Sequence, residues 1–263
     1  MFPNGSLSLV RLKPGERTDM AWYAYCITEQ QTLTPTHRPR RPFVLEHLHG
    51  VGGSQVFGYP SGEFAVVVSE YVPDRQLDQK AILEHAHVVS ECFRSSTVLP
   101  FRFGTVFETD EALRRAVRAN RKAFVATVTR LRGKAEMHLK LFVRDGLARE
   151  AMAEIELPLT AGGEYLTKLR EKASRDRERQ SKARTLSVQV QKMFNPLDAE
   201  VSCKRVDSGG MMIDIAHLID HGTVEKYQNR YNSALSKLKG CQMSLSGPWP
   251  PYHFMPGKLR MIS

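Results

Sequence analysis

The chain has 263 residues, 41% of them hydrophobic and 25% charged, with a mean hydropathy of −0.36, so it can bury a sizeable core. Its uninterrupted apolar runs, such as Phe64–Val68, are far too short to span a bilayer, and residues 1–19 carry Arg11, Lys13 and Arg17 without an apolar signal segment, so a cytoplasmic address is expected. A formal charge of +10 and a pI near 9.6 imply attraction to polyanions or acidic protein surfaces without choosing between them.

Residues 1–19 lack hydrophobic periodicity and read as a flexible leader. An N-terminal α+β domain is expected over 20–132, opening with the aromatic strand "AWYAYCIT" (21–28). Three prolines make 33–43 an exposed basic loop. Residues 54–71 read as a hairpin turning at Tyr-Pro-Ser-Gly, with Phe64–Glu70 as its buried strand. A helix over 78–95 places Ile82, Ala86, Val89 and Phe93 on one stripe. After "VLPFRFGTVF" (98–107), Thr109-Asp110-Glu111 supplies a cap and first-turn acids for a further helix. Its apolar stripe is Leu113, Val117, Phe124, Val128 and Leu131, and Arg132-Gly133 ends it.

The alternating strand 134–143 starts a second pattern: a long helix 164–194, strands near 199–206 and 210–218 joined by "DSGG", a helix near 222–238 and a strand near 241–246. The order β-α-β-β-α-β is that of a ferredoxin-like split βαβ unit, expected over 133–247, with 248–263 as a Pro/aromatic tail. The fold class is therefore α+β in two domains. The N-terminal one is read as a related sheet with helices on one face.

The candidate chemistry is sparse. The four cysteines form no C-x-x-C pair and read as buried thiols, suggesting neither a zinc site nor a disulfide frame. "GYPSG" (58–62) has its serine one place too late for a nucleophile elbow, and "GVGG" (50–53) lacks the lysine and hydroxyl of a phosphate loop. His85 and His87 point to different sides of a helix, while His47 and His49 share a strand face but lack a third ligand. No catalytic residue, metal or cofactor is expected.

Arg114, Arg118 and Arg121 recur along the polar side of their helix, with Arg115 and Lys122 adjoining. They form either a solvated face or a docking surface for acidic protein or nucleic acid. "KLREKASRDRERQSKAR" (168–184) reads as an exposed helical arm. "FRFGTVF" departs from an RNA-stacking strand because Arg102 precedes Phe103, not glycine. Strand alternation puts Leu99, Phe101, Phe103 and Phe107 together on a core face, and Arg102 opposite, to be paired with Glu70, Glu91 or Glu136. In "GPWPPY" the prolines stiffen the chain, and Trp249 and Tyr252 are read as a lid on the last strand in preference to a partner epitope.

Residues 83–117, "LEHAHVVSECFRSSTVLPFRFGTVFETDEALRRAV", resemble the signature of the gas vesicle protein F/L family. The resemblance rests on Pro100, Arg102, Phe103 and Gly104 within the V-L-P-x-R-F-G run and on the box Gly247, Pro248, Trp249, Pro250, Pro251 and Tyr252. "RLRGKAEMHLKLFV" (130–143) and "GGEYLTKLR" (162–170) follow in family order, so the likeness spans most of 22–254. It implies two α+β domains, the second a modified ferredoxin-like unit, and a non-enzymatic accessory or minor structural role in gas vesicle formation. It also implies association with the small hydrophobic shell protein and other gas vesicle accessory proteins, and no cofactor. On that basis Arg114, Arg118 and Arg121 are candidates for docking the shell subunit. The alternative is a basic α+β nucleic-acid-binding protein.

Overall fold

The structure is a computed structural model of the chain, describing residues 21–33, 40–72, 77–143, 161–195, 198–208, 211–238 and 241–256. The leader 1–19, most of the 33–43 loop and part of the "DSGG" turn lie outside the described residues. The chain divides into two compact units. One holds the residues up to Lys134 together with those from Trp249 onward; the other is Ala135–Pro248.

The first unit is built on an antiparallel sheet. Its strands are β1 (Trp22–Glu29), β2 (Phe43–His49), β3 (Gln55–Ser61), β4 (Phe64–Glu70), β5 (Val98–Pro100) and β6 (Val106–Phe107). They run in the order β2-β3-β4-β1-β5, and β6 also pairs with β1. Between them lie the single turn α1 (Gln30–Leu33) and the helices α2 (Gln79–Ser95) and α3 (Asp110–Leu131). The β3–β4 hairpin turns two residues later than its sequence suggests. Pro60 still pairs with Ala65 and Ser61 with Phe64, so the two-residue turn is Gly62-Glu63, with Gly62 at φ 66°.

Alternation along β1 and β4 decides where the helices go. Tyr23, Tyr25, Ala65 and Val67 share a core with Ala81, Val88, Val89 and Cys92 of α2. Trp22 and Phe64 face the other way: the Trp22 indole bonds Asp110 at the start of α3, and the Phe64 ring meets Phe124 at 6.0 Å. The two helices therefore cover opposite faces, and the expectation of helices on one face is corrected. A sheet apolar on both sides requires this, since β4 is buried from Phe64 to Ser69 without alternation. The buried stripe of α2 is also rotated from the expected one. It runs through Ala81, His85, Val88, Val89 and Cys92 and leaves Ile82 48% exposed. In α3 all five expected stripe residues are buried.

The second unit contains β7 (Lys134–Val143), α4 (Ala161–Phe194), β8 (Asp198–Ser208), β9 (Met211–Asp220), α5 (Val224–Lys237) and β10 (Cys241–Trp249). Its sheet order is β10-β7-β9-β8, compatible with the ferredoxin-like arrangement. Alternate residues Met137, Leu139 and Leu141 of β7 and Ile213 and Ile215 of β9 meet Ala183, Leu186, Val190 and Phe194 of α4 and Tyr227 and Ala234 of α5. Both helices thus pack on one face of this sheet. Gly247 sits at φ 120°, where a Cβ would come within 2.7 Å of the Glu136 carbonyl oxygen, so glycine is required beside β7.

Candidate functional site

The segment 98–107 is two short strands around a turn, not one continuous strand. Gly104 takes φ 81°, and the Thr105 amide and hydroxyl both donate to the Arg102 carbonyl, at 3.1 and 2.7 Å. The turn breaks the alternation. Phe101 and Phe107 meet edge to face at 5.8 Å, whereas Phe103 reaches Tyr23 and His85 with centroids 6.4 and 5.8 Å away. Arg102 is exposed, so the expected buried ion pair with Glu70, Glu91 or Glu136 is not formed. Glu91 instead pairs with Arg94 at 2.7 Å. A turn lets the guanidinium reach water, which avoids the desolvation penalty a buried pair would carry.

Around this turn lies a buried polar-aromatic cluster. The Gly104 amide donates to the Tyr23 hydroxyl at 3.1 Å, which lies 3.0 Å from His85 Nδ1. Burial pushes the Tyr23 hydroxyl up to about 12 and the His85 imidazole down to about 4, the latter against the opposing influence of the Phe101 backbone. The imidazole is therefore neutral at pH 7. Next to it, the Tyr25 hydroxyl bonds Ser69 Oγ at 2.8 Å and accepts the Val51 amide at 2.8 Å. A Cβ on Gly50 would stand 2.0 Å from that hydroxyl, so this glycine admits the tyrosine.

"GVGG" is thus a cover over Tyr25. Its remaining amides are engaged as well, Gly52 to Glu84 Oε2 at 2.7 Å and Gly53 to the Gly50 carbonyl at 2.9 Å. Cys26 and Cys92 lie in the same core. The Cys92 side chain and then burial push the Cys26 thiol well up, so it is not a ready nucleophile. His85, Tyr23, Phe103 and Gly104 join three separated sequence segments into one structural node.

The opposite side of the sheet positions the basic helix. Thr109 Oγ1 caps α3 by accepting the Ala112 amide at 3.1 Å. Asp110 accepts from Trp22 Nε1 at 2.6 Å and from the Tyr59 hydroxyl at 2.7 Å, fixing the helix start to β1 and β3. Burial first, and then Asp110, raise the Tyr59 hydroxyl. With its inner stripe locked, α3 turns Arg114, Arg118 and Arg121 to solvent. Arg114 lies 5.4 Å from the Tyr59 ring centroid and 3.7 Å from Asp110; Arg121 pairs with Glu63 at 2.9 Å. Arg118 has no ion pair among the described residues. Val125, 39% exposed, extends the same ridge.

The C-terminal box takes a different form from the expected lid. Pro250, Pro251 and Phe254 are buried, while Trp249 and Tyr252 are 44% and 39% exposed. Arg130 of α3 donates to the Phe254 carbonyl. The prolines and Phe254 provide the anchor, and the two aromatic rings that sequence reading turned inward face water.

The gas vesicle synthesis protein GvpL/GvpF family model matches residues 21–256. The chain belongs to this family. It is similar to gas vesicle protein L of Streptomyces sp. (strain CB03234), with 26% identity over 90% of this chain and 93% of that protein. Its fold is similar to the crystal structure of GvpF from Anabaena sp. PCC7120, at TM-score 0.71 and 18% identity, covering 91% of this chain and 97% of the other. GvpF from Microcystis aeruginosa matches with TM-score 0.66 and 17% identity, over 90% and 99% of the two chains. Family membership assigns this chain to gas vesicle formation. Among the described residues of this GvpL/GvpF protein, no helix is long and apolar enough to cross a membrane. In the 98–107 stretch Phe101 and Phe107 are buried and Phe103 half-buried, which is unlike the solvent-facing stacking strand of an RNA-binding sheet.

Proposed function

We propose that this GvpL/GvpF protein is a non-enzymatic accessory protein that holds the small hydrophobic shell protein before its incorporation. The proposed address is the cytoplasm, at gas vesicles and among other gas vesicle accessory proteins. The observation that carries the reading is the outer ridge of α3: Arg114, Arg118, Arg121 and Val125 are exposed on a helix whose inner stripe is fully committed to the core. A wall subunit with a water-repelling face aggregates unless another surface covers it. A mixed ridge of three guanidiniums and an apolar residue suits transient cover better than a purely apolar patch, which would itself aggregate. The two existing ion pairs are solvent-exposed and worth about 0–1 kcal/mol each, so a partner's carboxylates can replace them.

The test is co-expression of the full chain with the shell protein, followed by pull-down. Simultaneous Arg114→Glu, Arg118→Glu and Arg121→Glu substitution should reduce capture about tenfold or more while leaving the circular dichroism spectrum unchanged. Undiminished capture would remove the ridge as the docking surface. Tight, salt-resistant RNA binding with no capture of shell protein would overturn the assignment as a whole.

A further inference from the structure

We propose that the N-terminal part of α4, from Thr167 to Lys182, is a docking arm for an acidic amphipathic helix of a partner protein. This goes beyond the shell-protein reading and does not depend on it. It concerns another helix in the other unit.

The helix runs from Ala161 to Phe194, about 50 Å at 1.5 Å per residue. Among its described side chains the buried ones lie at the far end: Ala183, Leu186, Ser187, Val190 and Phe194. From Thr167 to Lys182 no described side chain is buried. Among the described side chains the arm therefore gains little from packing in its own unit, and a helix polar nearly all round depends on i,i+4 charge pairs or on a partner laid against it.

The spacing of the buried end states what would cover it. Phe194, Val190, Ser187 and Ala183 step back by four, three and four residues, the rhythm of a helix–helix seam. The same rhythm continues through Gln180 and Asp176 to Ala173 and Leu169, both exposed, with Leu169 at 51%. Gln180 and Asp176 interrupt the line with polar side chains, and beyond them Ala173 and Leu169 form a short apolar pair exposed on the side of the helix that packs on the sheet further along. Arg170, Lys172 and Arg177 flank it, all exposed.

Charge selects the class of partner. Between Lys168 and Arg184 there are eight Lys or Arg against three Asp or Glu. The excess is basic, so the complementary surface is acidic. The three carboxylates and the Leu169–Ala173 line argue against a phosphate backbone, which would meet repulsion from the former and make no use of the latter. An acidic helix with an apolar seam satisfies both features.

The experiment uses the full chain and three labelled probes in fluorescence anisotropy. One is a peptide of about three heptads with leucine at the seam positions and glutamate on its flanks; the second replaces each glutamate by lysine; the third is a single-stranded RNA of similar length. The glutamate peptide should bind, and its affinity should fall about tenfold or more between roughly 50 and 500 mM salt. The lysine peptide should not bind. Arg170→Glu, Lys172→Glu and Arg177→Glu together should abolish binding. Leu169→Ser should weaken it about fivefold with an unchanged salt slope. The α3 triple variant should bind the peptide normally, which separates this proposal from the shell-protein reading. Equal binding of both peptides, tighter binding of RNA, or full binding by the α4 triple variant would each overturn it. All of these positions are solvent-exposed, and unchanged thermal melting would verify the fold of the variants.

Discussion

At the scale of single residues, each unit contains a buried histidine against a tyrosine hydroxyl. In the first unit the tyrosine is on the sheet and the histidine on the helix: Tyr23 with His85. In the second the roles are exchanged, His217 on β9 bonding Tyr227 on α5, with Phe194 stacked on the imidazole at 5.5 Å. Burial lowers both imidazoles to about 4. An unfolded histidine titrates near 6.5, so between roughly pH 6.5 and 4 the unfolded chain holds more protons than the folded one. Stability is then fully present above that window and declines as pH falls through it, by on the order of 3 kcal/mol for each histidine. Urea midpoints at about pH 7, 5.5 and 4.5 should decrease in that order, and a flat profile would contradict the buried neutral state. Tyr23→Phe should destabilise by roughly 1–3 kcal/mol, because it removes both the bond to His85 and the acceptor of the Gly104 amide. Little of this node is legible in the sequence. Aromatic and apolar positions in 98–107 suggest a core strand, but the φ of Gly104 is a backbone property. That one turn moves Phe103 to the His85 side and sends Arg102 to water.

At the scale of elements, the start of α3 is the most informative join. Thr109-Asp110-Glu111 is readable as a cap and acidic first turn, and Thr109 does cap. What the local pattern omits is that the Asp110 carboxylate also holds Trp22 and Tyr59, distant in sequence. The two substitutions should therefore differ. Thr109→Ala should lower stability by about 1 kcal/mol. Asp110→Ala leaves two buried donors without their carboxylate, at roughly 1–3 kcal/mol for each. Thermal melts should rank Asp110→Ala well below Thr109→Ala, and equal melting temperatures would refute the joining role. The α3 stripe was legible because five apolar residues repeat at helical spacing. In α2 the spacing misleads, since the buried face includes His85, which hydropathy assigns to the outside, and excludes Ile82.

At the scale of the whole molecule, the β-α-β-β-α-β order of the second unit can be read from periodicity and turn residues. The composition of the first unit cannot, because contacts rather than sequence neighbours assign the final segment to it. Residues from Trp249 onward belong with the residues up to Lys134. Buried Phe254, buried Pro250 and Pro251, and the Arg130 bond to the Phe254 carbonyl make that segment part of the first unit's structure. Deleting residues 249–263 should therefore lower the stability of the first unit. Tryptophan fluorescence in urea, with Trp22 reporting from the sheet, should unfold at a lower midpoint in the truncated chain, and an identical midpoint would contradict the anchoring role.

The same discontinuity bears on synthesis. A ribosome must deliver all of Ala135–Pro248 before the segment that completes the first unit can emerge, an interval on the order of ten seconds at ordinary elongation rates. Throughout that interval the nascent first unit lacks the contacts of Phe254 and its neighbouring prolines. Its finished form therefore depends on residues translated after the whole of the second unit.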